Sequence, residues 1–132
     1  MGRILLAEDD EAVRSFVKRA LELDGHSVVA TEDGGEALEV LTRNQGHYDL
    51  VLSDIKMPIM DGIALALKSA HDYPDLPIVL MTGFADQRER ANGLDALVYE
   101  VITKPFSLAD IRKMVRNAIA GVTMVEERRY AC

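Results

Sequence analysis

Apolar positions in this chain fall into two rhythms that alternate along its length. Continuous runs of strand length occupy Arg3 to Ala7, Ser27 to Thr31, Leu50 to Leu52 leading to Asp54, Pro77 to Thr82, and Val98 to Thr103. Between them apolar residues recur at helical spacing. The first group is Val13, Phe16, Val17, Ala20 and Leu21, and the second is Ala37, Leu38 and Leu41. Ile63, Ala64, Leu67 and Ala70 form the third, and Leu108, Ile111, Met114, Val115 and Ile119 the last. A continuous apolar run marks a strand covered on both faces, and a 3.6-residue period marks a helix with one buried face. Polar residues punctuate the pattern. Asp10 and Ser107 are placed as helix N-caps, Gly25 and Gly121 as stops, and Pro74 ends the third helix. Ala85 to Asn92 carries few apolar anchors and predicts only a short, weakly packed fourth helix ending at Gly93.

Repeated alternation of strand and helix predicts an α/β fold, a five-stranded parallel sheet with helices on both faces and right-handed crossovers. The periodic region, residues 1–121, is expected to be one domain. Residues 122–132 mix Glu126-Glu127 with Arg128-Arg129, lack a period and read as a tail.

Composition narrows the function classes. The net charge of −7 argues against direct nucleic-acid binding, because phosphate contacts need a basic face. Arg112, Lys113 and Arg116 form one basic stripe, expected to be a solvated helix face or a contact for an acidic partner. No apolar run reaches the ~20 residues of a membrane span. The start lacks a secretory signal pattern, and the lone Cys132 offers no internal disulfide. A cytoplasmic protein is expected, with no room for a second, effector domain.

If the strands are parallel, their carboxyl ends share one edge, where open α/β sheets bind ligands. The residues there are Glu8 and Asp9, Asp54, Thr82 and Lys104. Carboxylates held together repel and take up protons unless a cation neutralises them, and oxygen ligands suit Mg²⁺. Lys104 adds a positive charge and Thr82 a hydroxyl. Together these groups meet the needs of phosphoryl transfer to an aspartate, in which positioning and charge neutralisation do most of the work.

The motifs Leu6-Ala7-Glu8-Asp9-Asp10, Asp54-Ile55-Lys56-Met57-Pro58 with Met60-Asp61-Gly62, Met81-Thr82-Gly83 and Lys104-Pro105-Phe106 occur in this order. With them the chain resembles the receiver domain of two-component response regulators. The resemblance implies a flavodoxin-like (βα)5 fold with strand order 2-1-3-4-5. It implies Asp54 as phosphoacceptor, and Glu8, Asp9, Asp54 and the Lys56 backbone carbonyl around Mg²⁺, with Mn²⁺ as a stand-in. Asp9 would bind the metal directly and Glu8 mostly through water. Thr82 and Lys104 would bind phosphoryl oxygens, and Lys104-Pro105 would be a cis peptide.

The implied donor is a histidine kinase or histidine phosphotransferase. The implied output is a switch in binding to a downstream protein, with the chain a monomer or a weak dimer through the face of the fourth helix, fifth strand and last helix. It would be a signalling phosphoprotein rather than an enzyme. The opening Leu5 to Asp10 and the segment Met81 to Ala85 are also similar to the CpdR group of single-domain regulators, which act as adaptors downstream of a phosphorelay.

The switch region implied is Thr82, Phe84, Tyr99 and Val101. Many receivers carry an aromatic residue where Val101 stands here; Tyr99, two residues earlier, shares its face by strand alternation. Either Tyr99 or motion of the fourth helix would then couple the site to a partner.

Two other classes fit less well. A dehalogenase-type phosphohydrolase wants a second aspartate where Lys56 stands. A flavodoxin-like cofactor module wants a phosphate-cradling loop where Glu8-Asp9-Asp10 would repel the phosphate.

Overall fold

A computed structural model of the protein describes residues 2–83, 93 and 97–121. Its strands are β1 (Arg3–Ala7), β2 (Ser27–Thr31), β3 (Leu50–Asp54), β4 (Ile78–Thr82) and β5 (Glu100–Thr103). Its helices among the described residues are α1 (Glu11–Leu23), α2 (Gly34–Arg43), α3 (Gly62–Asp72) and α4 (Leu108–Ala120). The helix expected over Ala85 to Asn92, the residue Phe84 and the tail 122–132 lie outside the described residues.

All four strand pairings are parallel, in the order β2-β1-β3-β4-β5. β1, β3 and β4 are covered on both sides, and their residues from Ile4 onward are buried throughout. This accounts for their continuous apolar sequence. On one face Leu5, Val51 and Leu80 pack with Ala37 and Leu41 of α2 and Leu65 and Ala66 of α3. On the other, Ile4, Leu6, Leu52 and Met81 pack with Val17 and Leu21 of α1 and Ile111 and Val115 of α4.

Each described helix starts on a side-chain cap. Asp10, Asp33 and Asp61 accept from Val13, Glu36 and Ala64 N–H at 3.0, 2.8 and 2.8 Å. Ser107 and Asp110 close a reciprocal capping box on α4, and Gly121 ends that helix at φ 75°. Asp61, part of the Met60-Asp61-Gly62 motif, is thus the cap of α3. Such caps place the start of each helix just beyond the carboxyl end of the preceding strand.

Two expectations need correction. β5 starts at Glu100, not Val98, and Tyr99 precedes it. Tyr99 packs on the α1 and α4 side, whereas Val101 packs on the α2 and α3 side. Strand alternation therefore does not extend back across the bend to Tyr99, and the two residues do not share a face. The basic stripe of α4 is not uniformly solvated either. Arg112 Nε donates to both carboxylate oxygens of Asp24, the C-cap of α1, at 2.9 Å, and Nη2 closes the fork.

Candidate functional site

Parallel pairing brings Glu8, Asp54, Thr82 and Lys104 to one sheet edge, because Ala7 stands opposite Ser53, Asp54 opposite Met81, and Thr82 opposite Thr103. A cavity of about 390 Å³ there is lined by Glu8, Asp9, Asp10, Val13, Asp54, Lys56, Gly83 and Lys104. Glu8, Asp9 and Asp54 each offer a carboxylate oxygen, all within 4.8 Å of one another. Lys104 Nζ lies 3.0 Å from Glu8 Oε2 and 3.2 Å from Asp54 Oδ1.

Electrostatics follows from this crowding. Burial pushes the Glu8 carboxyl above its ordinary range; the Lys104 hydrogen bond opposes this and the charge of Asp54 reinforces it. Asp54 is raised chiefly by burial as well, with Lys104 lowering it and Asp9 raising it. Burial works against the Lys104 ammonium, but the hydrogen bond to Glu8 and the charge of Asp54 outweigh it and raise its pKa. Lys104 pairs with two of the three clustered carboxylates, which leaves the site short of positive charge. Hard oxygen donors at this spacing fit a divalent cation such as Mg²⁺.

Asp54 is oriented from behind. Ile55 N–H donates to its Oδ1 at 3.1 Å, the oxygen that also faces Lys104, so both contacts fall on Oδ1. Thr82 is buried at the end of β4, and its carbonyl accepts from Lys104 N–H at 2.7 Å, which joins the backbones of these two residues. It is Gly83 that lines the cavity. The Lys104-Pro105 peptide is cis. Tyr99 and Val101 lie on opposite sides of the sheet, as described, and are not brought together.

The sequence reading missed Arg14. Its Nη1 donates to the Glu8 carbonyl at 2.9 Å and reaches the Asp9 carbonyl at 3.5 Å, fixing the acidic turn between β1 and α1. A cation one turn into the following helix was the available signal, and such residues are common on solvated helix faces. Beside the acidic cavity lies an apolar one of about 380 Å³, lined by Val13, Phe16, Gly83, Lys104, Pro105 and Phe106.

The family model of the response regulator receiver domain matches residues 4–116, and the chain belongs to that family. It is 41% identical over 111 residues to the response regulator receiver protein CpdR of Brucella abortus, covering 84% of this chain and 91% of that one. It is 37% identical over 114 residues to the response regulator MprA of Mycobacterium sp. (strain KMS), covering 86% of this chain and 49% of MprA. The chain therefore spans about half the length of the MprA relatives. The response regulator TrrA of Thermotoga maritima, solved in complex with Mg(2+)-BeF, superposes with a TM-score of 0.79 at 29% identity, covering 89% of this chain and 99% of that one.

Residues 4–116 thus form a receiver domain of the phosphoacceptor type used in two-component signalling. Receiver domains take their phosphoryl group from histidine kinases, and the cluster of Glu8, Asp9 and Asp54 is of the Mg-binding type. No described helix is long and apolar enough to cross a membrane.

Proposed function

We propose that Asp54 accepts a phosphoryl group from phosphohistidine of a kinase or phosphotransferase in a Mg²⁺-dependent reaction, and that the acyl phosphate switches binding to a partner protein. The observation that carries this reading is the cluster of Glu8, Asp9 and Asp54 at the carboxyl edge of the sheet, with the Lys104 ammonium against Glu8 and Asp54. Asp9, Asp54 and the Lys56 carbonyl would hold the cation, with Glu8 acting through water. Once bound, it supplies the positive charge that the cluster lacks. Asp54 attacks phosphorus through Oδ2, the P–N bond to the donor imidazole breaks, and the imidazole leaves with its electron pair. Lys104 neutralises phosphoryl oxygen charge, and the Thr82 hydroxyl donates to a further oxygen. Pro105 and Phe106, beside Phe16, offer the donor an apolar footing next to the open Gly83.

Output follows from the connection between Lys104 and β5. Drawing Lys104 and Thr82 toward a phosphoryl group pulls on the backbone bond between them and shifts the last strand and α4. Val101 has no ring to swing, and Tyr99 packs on the other face of the sheet, so the coupling runs through this backbone link.

The test is incubation with Mg²⁺ and acetyl phosphate, read by intact mass. One added phosphoryl group is expected in wild type and none in Asp54→Ala. An adduct that persists in Asp54→Ala, or never forms in wild type, overturns the reading. Pull-down with and without the phosphoryl group then tests the switch in partner binding.

A further inference from the structure

The loop from Lys56 to Asp61 joins the acidic cavity's wall through Lys56. It contains Ile59, a β-branched residue at φ 71° that is 86% exposed. Left-handed backbone is unfavourable for such a residue and persists only where the surroundings enforce it. Two glycines supply that enforcement. Gly62 N–H donates to the Ile55 carbonyl at 2.8 Å, and a Cβ on Gly62 would lie 2.1 Å from the Asp54 carbonyl oxygen. That contact closes the loop on its own strand.

The second comes from a different unit. Gly34, the first residue of α2, donates its N–H to the Met60 carbonyl at 3.2 Å. A Cβ on Gly34 would lie 2.2 Å from that oxygen and 2.9 Å from its carbon. Backbone therefore meets backbone, and no side chain at position 34 could fit without moving the loop. The first N–H groups of a helix lack intrahelical partners, so the Met60 carbonyl also meets a need of α2.

We propose that Gly34 is a positioning residue for the acidic site. Through Met60 it holds the β3–α3 loop, and so the Lys56 backbone, in the place that completes the cation shell beside Asp54. This rests on the site reading given above. Asp33 belongs to the same device, since its side chain caps Glu36 N–H at 2.8 Å and keeps the first turn of α2 wound.

The test is calorimetric titration of the full chain with Mg²⁺, with amide ¹H–¹⁵N shifts recorded in EDTA. Gly34→Ala is expected to weaken Mg²⁺ binding about ten-fold, the lower end of the loss seen when an outer support of a metal ligand is altered. Amides of Lys56 to Asp61 should shift even without the cation. Val115→Ala, in α4 on the other face of the sheet, is the control for general destabilisation. It should lower the urea midpoint and leave both readouts unmoved. Asp33→Ala, which adds no clash, should weaken binding in the same direction by less. Wild-type affinity in Gly34→Ala, or an equal loss in Val115→Ala, overturns the proposal while leaving the site reading intact. If Gly34→Ala fails to fold, unchanged affinity in Asp33→Ala overturns it. Absence of saturable Mg²⁺ binding in wild type removes the site reading and this inference together.

Discussion

Among the described residues, the ion pairs at Lys104 and at Arg112 each join distant parts of the chain, and they are built to opposite ends. At the sheet edge one Lys104 faces Glu8 and Asp54 with Asp9 nearby, and the Glu8 and Asp54 side chains are only 1% and 9% exposed. Between α1 and α4 one Arg112 faces one Asp24 through a planar fork, with side chains 39% and 20% exposed. The second group is balanced. The hydrogen bond from Arg112 holds the Asp24 carboxyl below its usual range, and Asp24 raises Arg112 in turn. The first is unbalanced, and burial lifts both of its hydrogen-bonded carboxyls. A balanced pair near solvent fastens two helices. An unbalanced one away from solvent leaves charge to be completed by a ligand.

The comparison would break most visibly at Lys104. Lys104→Met should cost about 3 kcal/mol at pH 7 in EDTA, the low end for unpairing a buried ion pair because the lysine keeps 22% exposure. Urea titration measures it. Arg112→Met should cost less, and salt at about 0.5 M should erase most of that smaller cost, as expected for more exposed charges.

Mg²⁺ sharpens the contrast from the other side. At roughly a hundred times its dissociation constant, it should stabilise the fold by about 2.7 kcal/mol. Thermal unfolding should show this gain in wild type and Asp24→Asn, and its loss in Asp9→Asn.

The two groups should also respond to pH with opposite sign. Glu8 and Asp54 have folded pKa values above the ordinary 4.5 and 3.8, so the native state binds more protons than the unfolded chain. Their contribution is fully present below the unfolded values and is lost as pH rises through the folded ones. In EDTA, the stability of wild type relative to Glu8→Gln should therefore fall as pH rises from about 4 toward neutrality. Asp24 is depressed, so its contribution is present above 3.8 and is lost as pH falls through its lowered folded value. The smallest effect expected is that of Asp24→Asn, a modest drop in urea midpoint at pH 7 that vanishes in acid. Mg²⁺ affinity should be unchanged.

Much of this was legible before any coordinates. The bounds of β1 and β2 and the caps at Asp10 and Ser107 follow from local chemistry, since apolar runs and short polar side chains act within a few residues. Glu8, Asp9, Asp54 and Lys104 could be brought to one edge on paper, because parallel strands have their carboxyl ends in common. Less visible was anything that depends on where two separate elements meet. The pairing of Arg112 with Asp24 spans 88 positions, and nothing in either neighbourhood marks it. Tyr99 was assigned a face by alternation, but the bend before Glu100 resets the phase.

The sequence by itself determined the alternation of strands and helices, the placing of acid, hydroxyl and lysine at strand ends, and with them the family. Tertiary structure alone decided how the charges balance. It set Lys104 between Glu8 and Asp54, turned Arg112 to Asp24, and brought the Gly34 backbone against Met60. Periodicity and capping are short-range and are written in neighbouring residues. The distance between charges and the room beside a glycine exist only once the layers have packed.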